Sequence, residues 1–253
     1  MSSRTWTPAA LSFERRPLAG TCWRSVESQH RVSTMKLVDT LAEQALLESI
    51  IDEAKPPLPV ECRHLHYLLS TPFRYSPYPT GSRFRRAGPT AGVCYGSAKP
   101  ETAVAEMAFH RLLFFADSPA TPWPVNAGEY TVFSARYRSA AGLDLTAPPL
   151  DRDRARWTHT SDYEACQRVA EAARTIGVEV LRYESARVAG ALNVGLLTCR
   201  AFRSREPIDR HTWRMHFGPH GVKAVCDFPG ARLEFDREAF ARDSRIAALH
   251  WNR

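Results

Sequence analysis

Lysine is nearly missing from this 253-residue chain. It stands only at positions 36, 55, 99 and 223, so 30 of the 34 basic residues are arginine. Long apolar runs are missing too: no stretch of about 18 apolar residues occurs, which argues against a membrane-spanning helix. The first twenty residues hold no continuous apolar segment, so a secretory leader is not expected and the cytoplasm is the expected location. Neither a GxGxxG nor a GxxxxGK[ST] pattern is present, which excludes a dinucleotide held in the Rossmann or P-loop manner. Six cysteines, at 22, 62, 94, 166, 199 and 226, include no Cys-x-x-Cys pair, so reduced and mostly buried thiols are expected. Glu61, Cys62, His64 and His66 alternate as potential ligands, but a zinc site built on this segment would need partners from elsewhere in the chain, and His211, His216 and His220 lack zincin spacing. No metal is expected.

What is present is ordinary for a folded domain: 44% hydrophobic and 24% charged residues. The net charge of +7 favours anionic partners, and a guanidinium fork suits phosphate better than an ammonium does. The arginines are spread along the chain, and no helix-turn-helix, zinc-finger or RNP-like motif accompanies them. A basic nucleic-acid-binding module is therefore a minor alternative, and no direct nucleic-acid contact is expected.

No internal repeat is visible. Residues 1–30 read as an irregular arm anchored by Trp6, Phe13 and Trp23. Val38, Leu41, Ala42, Ala45, Leu46 and Ile50 predict a helix over 34–55, capped by Ser33 or Thr34 and stopped by Pro56-Pro57. Residues 1–68 are thus expected to form a helical extension, and 69–253 the main domain. Within the latter, 93–95 reads as a short strand and 100–115 as a helix opened by Pro100. Residues 129–137 alternate as a strand. Ser161 to Glu164 reads as a capping box before a helix that Gly177 ends. Strands are expected at 178–183 and 192–202, and three short ones near 213–217, 222–228 and 232–235. The pattern predicts an α+β fold.

The chemistry concentrates between Phe73 and Arg111. An Arg74-Tyr75 pair comes first, then Gly81-Ser82-Arg83-Phe84 with Gly88, then Tyr95, then a helix carrying Glu106. Two arginines could clamp a diphosphate, an aromatic ring could stack on a flat cation, and a carboxylate could stabilise the positive charge of glycosidic cleavage. Arg85 and Arg86 read as solvated. This ordered set resembles the first half of the RES domain family, and Ser185, in VEVLRYESARVAGALNVGLL, supplies the serine that the family name refers to. The resemblance covers roughly residues 70–205. It departs at Gly81-Ser82-Arg83-Phe84-Arg85, where family members often read Gly-Gly-Arg-Trp-Asn. The resemblance implies an ADP-ribosyltransferase-like mixed sheet and NAD⁺ consumed as a substrate. It also implies a toxin held by a cognate antitoxin, encoded adjacently and often with a helix-turn-helix domain. By that resemblance Arg74, Glu106 and Ser185 are catalytic, and Arg74, Tyr75, Arg83, Tyr95 and Ser185 bind NAD⁺, with Ser185 either bonding the ribose or holding Glu106. The reaction implied is glycohydrolysis or phosphorolysis of NAD⁺, with ADP-ribosyl transfer to a protein as the alternative.

Overall fold

A computed structural model of the chain describes residues 6–28, 32–35, 37–74 and 79–253. Among them are eight strands: β1 (Arg16–Glu27), β2 (Cys94–Ser97), β3 (Gly128–Asp144), β4 (Val180–Glu184), β5 (Leu192–Leu196), β6 (Arg210–Gly218), β7 (Gly221–Cys226) and β8 (Ala231–Phe235). The helices are α1 (Pro8–Ser12), α2 (Val32–Met35), α3 (Leu41–Glu53), α4 (Tyr67–Ser70), α5 (Pro100–Asp117), α6 (Arg154–Trp157), α7 (Glu164–Thr175) and α8 (Ser244–Ala247). The expected α+β class is what the elements form.

The strands run in the order β1-β2-β5-β4-β3-β6-β7-β8, and β1 also pairs with β3. That extra pairing closes β1, β2, β5, β4 and β3 into a ring. Its seam at β2 is thin, a single pair of Trp23 with Ser97. The β1–β3 side is long and antiparallel, from Arg16 opposite Gly142 to Glu27 opposite Tyr130. Strand β3 serves both parts of the sheet. Its far end, Gly142 to Asp144, pairs in parallel with β4, while Gly128 to Phe133 pairs with β6 and so begins the β6–β8 meander.

Three apolar clusters fix the layers. In one, Val104, Phe109, Leu112 and Phe115 of α5 pack on Trp213, Met215, Phe217 and Val222 of the meander. In another, Cys166, Val169 and Ala173 of α7 pack on Leu143, Leu181 and Phe84. Each large apolar side chain so buried stabilises the fold by about 1.5–3 kcal/mol. The third lies between β1, β3 and β5 and the 62–69 segment, with Leu18, Leu69, Phe133 and Leu196.

Five expectations change. The irregular arm is instead a twelve-residue strand, and it lies inside the sheet. The predicted 34–55 helix is two helices, the longer capped by a Thr40–Glu43 box rather than by Ser33 or Thr34. No box forms at Ser161: α7 begins at Glu164 with Tyr163 at its N-cap, and Asp162 accepts the Glu164 N–H at 2.9 Å. Cys62 and Cys199 form a disulfide across two 3₁₀ turns, with Cα atoms 5.9 Å apart; the fold brings together residues 137 positions apart in sequence, a proximity no local spacing reveals. The other four cysteines are buried thiols. The strand expected over 192–202 ends at Leu196.

Candidate active site

Glu106 stands near the middle of α5. Pro100 at the first turn and Glu101 beside it suit the start of a helix, where N–H groups are unpaired and the dipole end is positive. One face of α5 is buried on the meander, so the Glu106 carboxylate emerges from the side facing the β4–β5 hairpin. Two donors meet it there. The Ser185 hydroxyl donates to Glu106 Oε1 at 2.7 Å, and Asn193 Nδ2 donates to the same oxygen at 2.7 Å. Glu106 Oε2 receives no hydrogen bond among the described residues.

The direction of the Ser185 bond is settled by its other partners. Its oxygen accepts the N–H groups of Arg187 and Val188, both at 3.0 Å, so its single proton turns to Glu106. The Ser185 N–H closes the hairpin onto the Ala191 carbonyl at 2.8 Å. Asn193, on β5, lies opposite Ser97 on β2 and Tyr183 on β4. It is 4% exposed, and its Oδ1 is buried without a partner among the described residues. A buried acceptor left unsatisfied costs about 1–3 kcal/mol. Burial, followed by the Glu106 charge, pushes the neighbouring Tyr183 phenol well above its ordinary value and keeps it neutral.

His110 follows Glu106 by one helical turn. Its residue is open to water, yet desolvation by the protein around it is the largest influence on its imidazole and pushes its pKa down. Glu106 opposes that shift, while Arg187, Arg24 and Arg245 reinforce it, so three guanidinium charges and one carboxylate act on the ring together.

A cavity of about 310 Å³ lies beside β1 and β2, walled by Arg24, Glu27, Tyr67, Pro72, Ser82, Arg85, Tyr95 and Thr131 among others. The Tyr95 hydroxyl shares a 2.8 Å hydrogen bond with Ser82 and accepts the Phe84 N–H at 2.8 Å, so it ties the 82–84 loop to β2. Arg24 Nη1 donates to the Tyr95 carbonyl at 2.9 Å, and its Nε is buried without a partner among the described residues. Arg85 is not solvated as expected: it is 6% exposed and donates to the Thr90 hydroxyl and carbonyl at 3.1 and 2.7 Å. Arg86 lies at the surface, paired with Glu171.

Neither Arg74 nor Arg83 bonds Glu106. Arg74 is half-buried, donates to the Pro56 carbonyl and comes within 4.0 Å of Asp52. Arg83 is buried. Its Nη1 donates to the Trp157 carbonyl at 2.7 Å, its Nη2 donates to the His159 carbonyl at 3.0 Å, and its guanidinium lies 4.7 Å over the Tyr163 ring. Those contacts brace the loop rather than face open solvent. Tyr75 lies outside the described residues. Among the described residues no group of three or more histidines, cysteines or carboxylates is placed to hold a metal ion.

Four residues around the site escaped sequence reasoning: Asn193, Arg24, Arg187 and His110. Asn193 had one visible signal, an amide inside the apolar run LNVGLL. Arg187 is almost wholly buried, pairs with Asp243 at 3.2 Å, donates to the Thr160 carbonyl at 2.7 Å and stacks 3.4 Å over Phe109. It thereby fixes the turn that presents Ser185.

The RES domain family matches residues 58–218, a span that holds Tyr95, Glu106, Ser185 and Asn193. The chain belongs to the RES domain family. Strands β1, β7 and β8 lie outside the matched span, so this RES domain has Arg24 on a strand beyond it. Among solved structures it is similar to a chain of the M. tuberculosis MbcT–MbcA toxin–antitoxin complex, at 12% identity over 92% of each chain with a TM-score of 0.41. No curated protein matches.

Proposed function

We propose that this RES domain consumes NAD⁺ by cleaving the bond between nicotinamide and ribose, and that it is the toxin of a toxin–antitoxin pair acting in the cytoplasm. One observation carries the chemistry: the Glu106 carboxylate is held through one oxygen by two donors from a different part of the chain. A carboxylate so oriented can face an oxocarbenium-like centre with its other oxygen, and electrostatic stabilisation of that centre needs no reorganisation when the charge develops.

In the proposed reaction the bond from the ribose C1′ to the pyridinium nitrogen breaks, and nicotinamide leaves neutral with the electron pair. An oxygen of water or phosphate then forms the new C1′–O bond. Water yields ADP-ribose and a proton; phosphate yields ADP-ribose 1″-phosphate. The cavity beside Tyr95 takes the nicotinamide end, with the Tyr95 ring as a wall for the flat cation. Arg74 reaches the diphosphate after exchanging its contacts with Pro56 and Asp52, and Arg83 supports the site through the loop it braces. The partner is a cognate antitoxin, encoded adjacently and carrying a helix-turn-helix, that covers this cleft.

The test is nicotinamide release by the purified chain, with and without phosphate, beside Glu106→Gln. The expected outcome is release by the wild type and a loss of about a hundredfold or more in the variant, the scale on which one preorganised electrostatic contact acts. A phosphate requirement identifies the acceptor. Silence of the wild type in both buffers sinks water and phosphate as acceptors, and labelled NAD⁺ in lysate then tests transfer of ADP-ribose to a protein.

A further inference from the structure

Asn193 occupies a place where an amide is a poor choice for the fold. Its neighbours along β5 are Leu192, Val194 and Leu196, the strand is flanked on both sides, and the residue is 4% exposed. Its amide makes one hydrogen bond among the described residues: Nδ2 donates to Glu106, and Oδ1 has no partner. The orientation of the amide is set by chemistry. Turning the oxygen to Glu106 would set two acceptors against each other, so the nitrogen must face the carboxylate and the oxygen is the atom left over. A leucine, branched at the same carbon, would bury nothing unsatisfied. What leucine cannot do is donate to Glu106.

We infer that Asn193 is a positioning residue for Glu106, present for the orientation of that carboxylate and at the expense of stability. This rests on the reading of Glu106 as the catalytic carboxylate. Ser185 alone sets one contact to Oε1. The second donor comes from a neighbouring strand and from another direction, and the two together fix the rotation of the carboxylate about its stem. The two donors are not equivalent. Ser185 also accepts two backbone N–H groups, so removing its hydroxyl disturbs a turn as well as Glu106. Asn193 has Glu106 as its side-chain partner and separates orientation from scaffold cleanly.

The experiment compares the full chain with Asn193→Leu, and with Asn193→Val should the leucine overpack β5. Nicotinamide release and thermal unfolding are measured on each. The expected result is a Tm equal to or above wild type, with kcat lowered about 10- to 100-fold and KM changed less than about threefold, the pattern of an orientation lost in the transition state alone. A kcat within about twofold of wild type overturns the inference. So does a Tm that falls together with activity, because that is what a structural amide would do. If the wild type releases no nicotinamide, hydrolysis and phosphorolysis of NAD⁺ fail as its reaction. A double-mutant cycle on Tm between Asn193→Leu and Glu106→Ala then decides the contact: non-additive shifts support the coupling, and additive shifts overturn it.

Discussion

Among the described residues Asp243 is the most deeply buried charge, fully inaccessible and held between Arg187 at 3.2 Å and Arg245 at 2.8 Å. Burial alone would raise its pKa; the bonds from Arg245, aided by the Arg187 charge, outweigh burial and hold the carboxyl below its ordinary value. A carboxylate whose pKa is depressed on folding stabilises the fold above its unfolded pKa, about 3.9, and loses that contribution as pH falls through the lower folded value. Thermal unfolding followed from pH 7 down to pH 2.5 is therefore expected to show stability falling below about pH 4. Arg245→Ala should lower stability at pH 7 by about 2 kcal/mol and flatten the acid limb, since one of two partners is gone. An acid limb unchanged in the variant would remove Arg245 from that role. The pair matters beyond stability because Arg187 also holds the turn bearing Ser185. Residue types around Glu106 were legible in the ordered motif, and Ser185 does meet Glu106. The contact partners of Arg83 were not legible. A sequence shows an arginine in a suitable place but not that two carbonyls, of Trp157 and His159, already occupy its donors. Asn193 was passed over because one amide in an apolar run looks like a strand's polar interruption.

At the scale of elements, the hidden strand is the instructive one. The most buried positions of β1 are Leu18, Cys22 and Ser25, spaced by four and three rather than by two, because the strand pairs with β3 on one side and touches β2 on the other. A period-two search finds nothing there. The helix α5 and the strands β6 and β7 were legible because α5 buries residues at helical spacing and the two strands alternate buried with exposed positions. The predicted 34–55 helix had the apolar spacing of a buried element, yet α3 buries none of its residues, and Leu41, Leu46 and Ile50 stay exposed. Spacing reports a stripe; it does not report whether anything covers it. Close approach has a clearer signature at Gly92, where an added Cβ would stand 2.3 Å from the Pro72 carbonyl oxygen and 2.6 Å from the Phe73 Cα. Those residues are backbone and cannot swing aside. Gly92→Ala is expected to displace the 71–73 segment, which walls the cavity beside Tyr95, and to cost about 1–3 kcal/mol in denaturant unfolding. A midpoint like that of wild type would show that the segment yields freely.

For the molecule as a whole, much of the arginine is committed to structure. Arg154, Arg182, Arg187, Arg214 and Arg245 pair with carboxylates, and Arg83 and Arg174 donate to backbone carbonyls. Composition showed the abundance of arginine, while its distribution between structure and surface emerged only with the fold. The same holds for the closed ring of strands, since a pairing between β1 and β3 bridges more than a hundred residues of sequence. The disulfide adds a topological consequence. Joining Cys62 to Cys199 makes a covalent circle that contains Arg74, Tyr95, Glu106, Ser185 and Asn193. A single tryptic cut after the exposed Arg152 opens that circle without dividing the molecule. The nicked chain should gain the mass of one water and migrate as one species, and it should part into two pieces only when a thiol is added. Pieces that separate in the absence of thiol would mean that the circle is not closed.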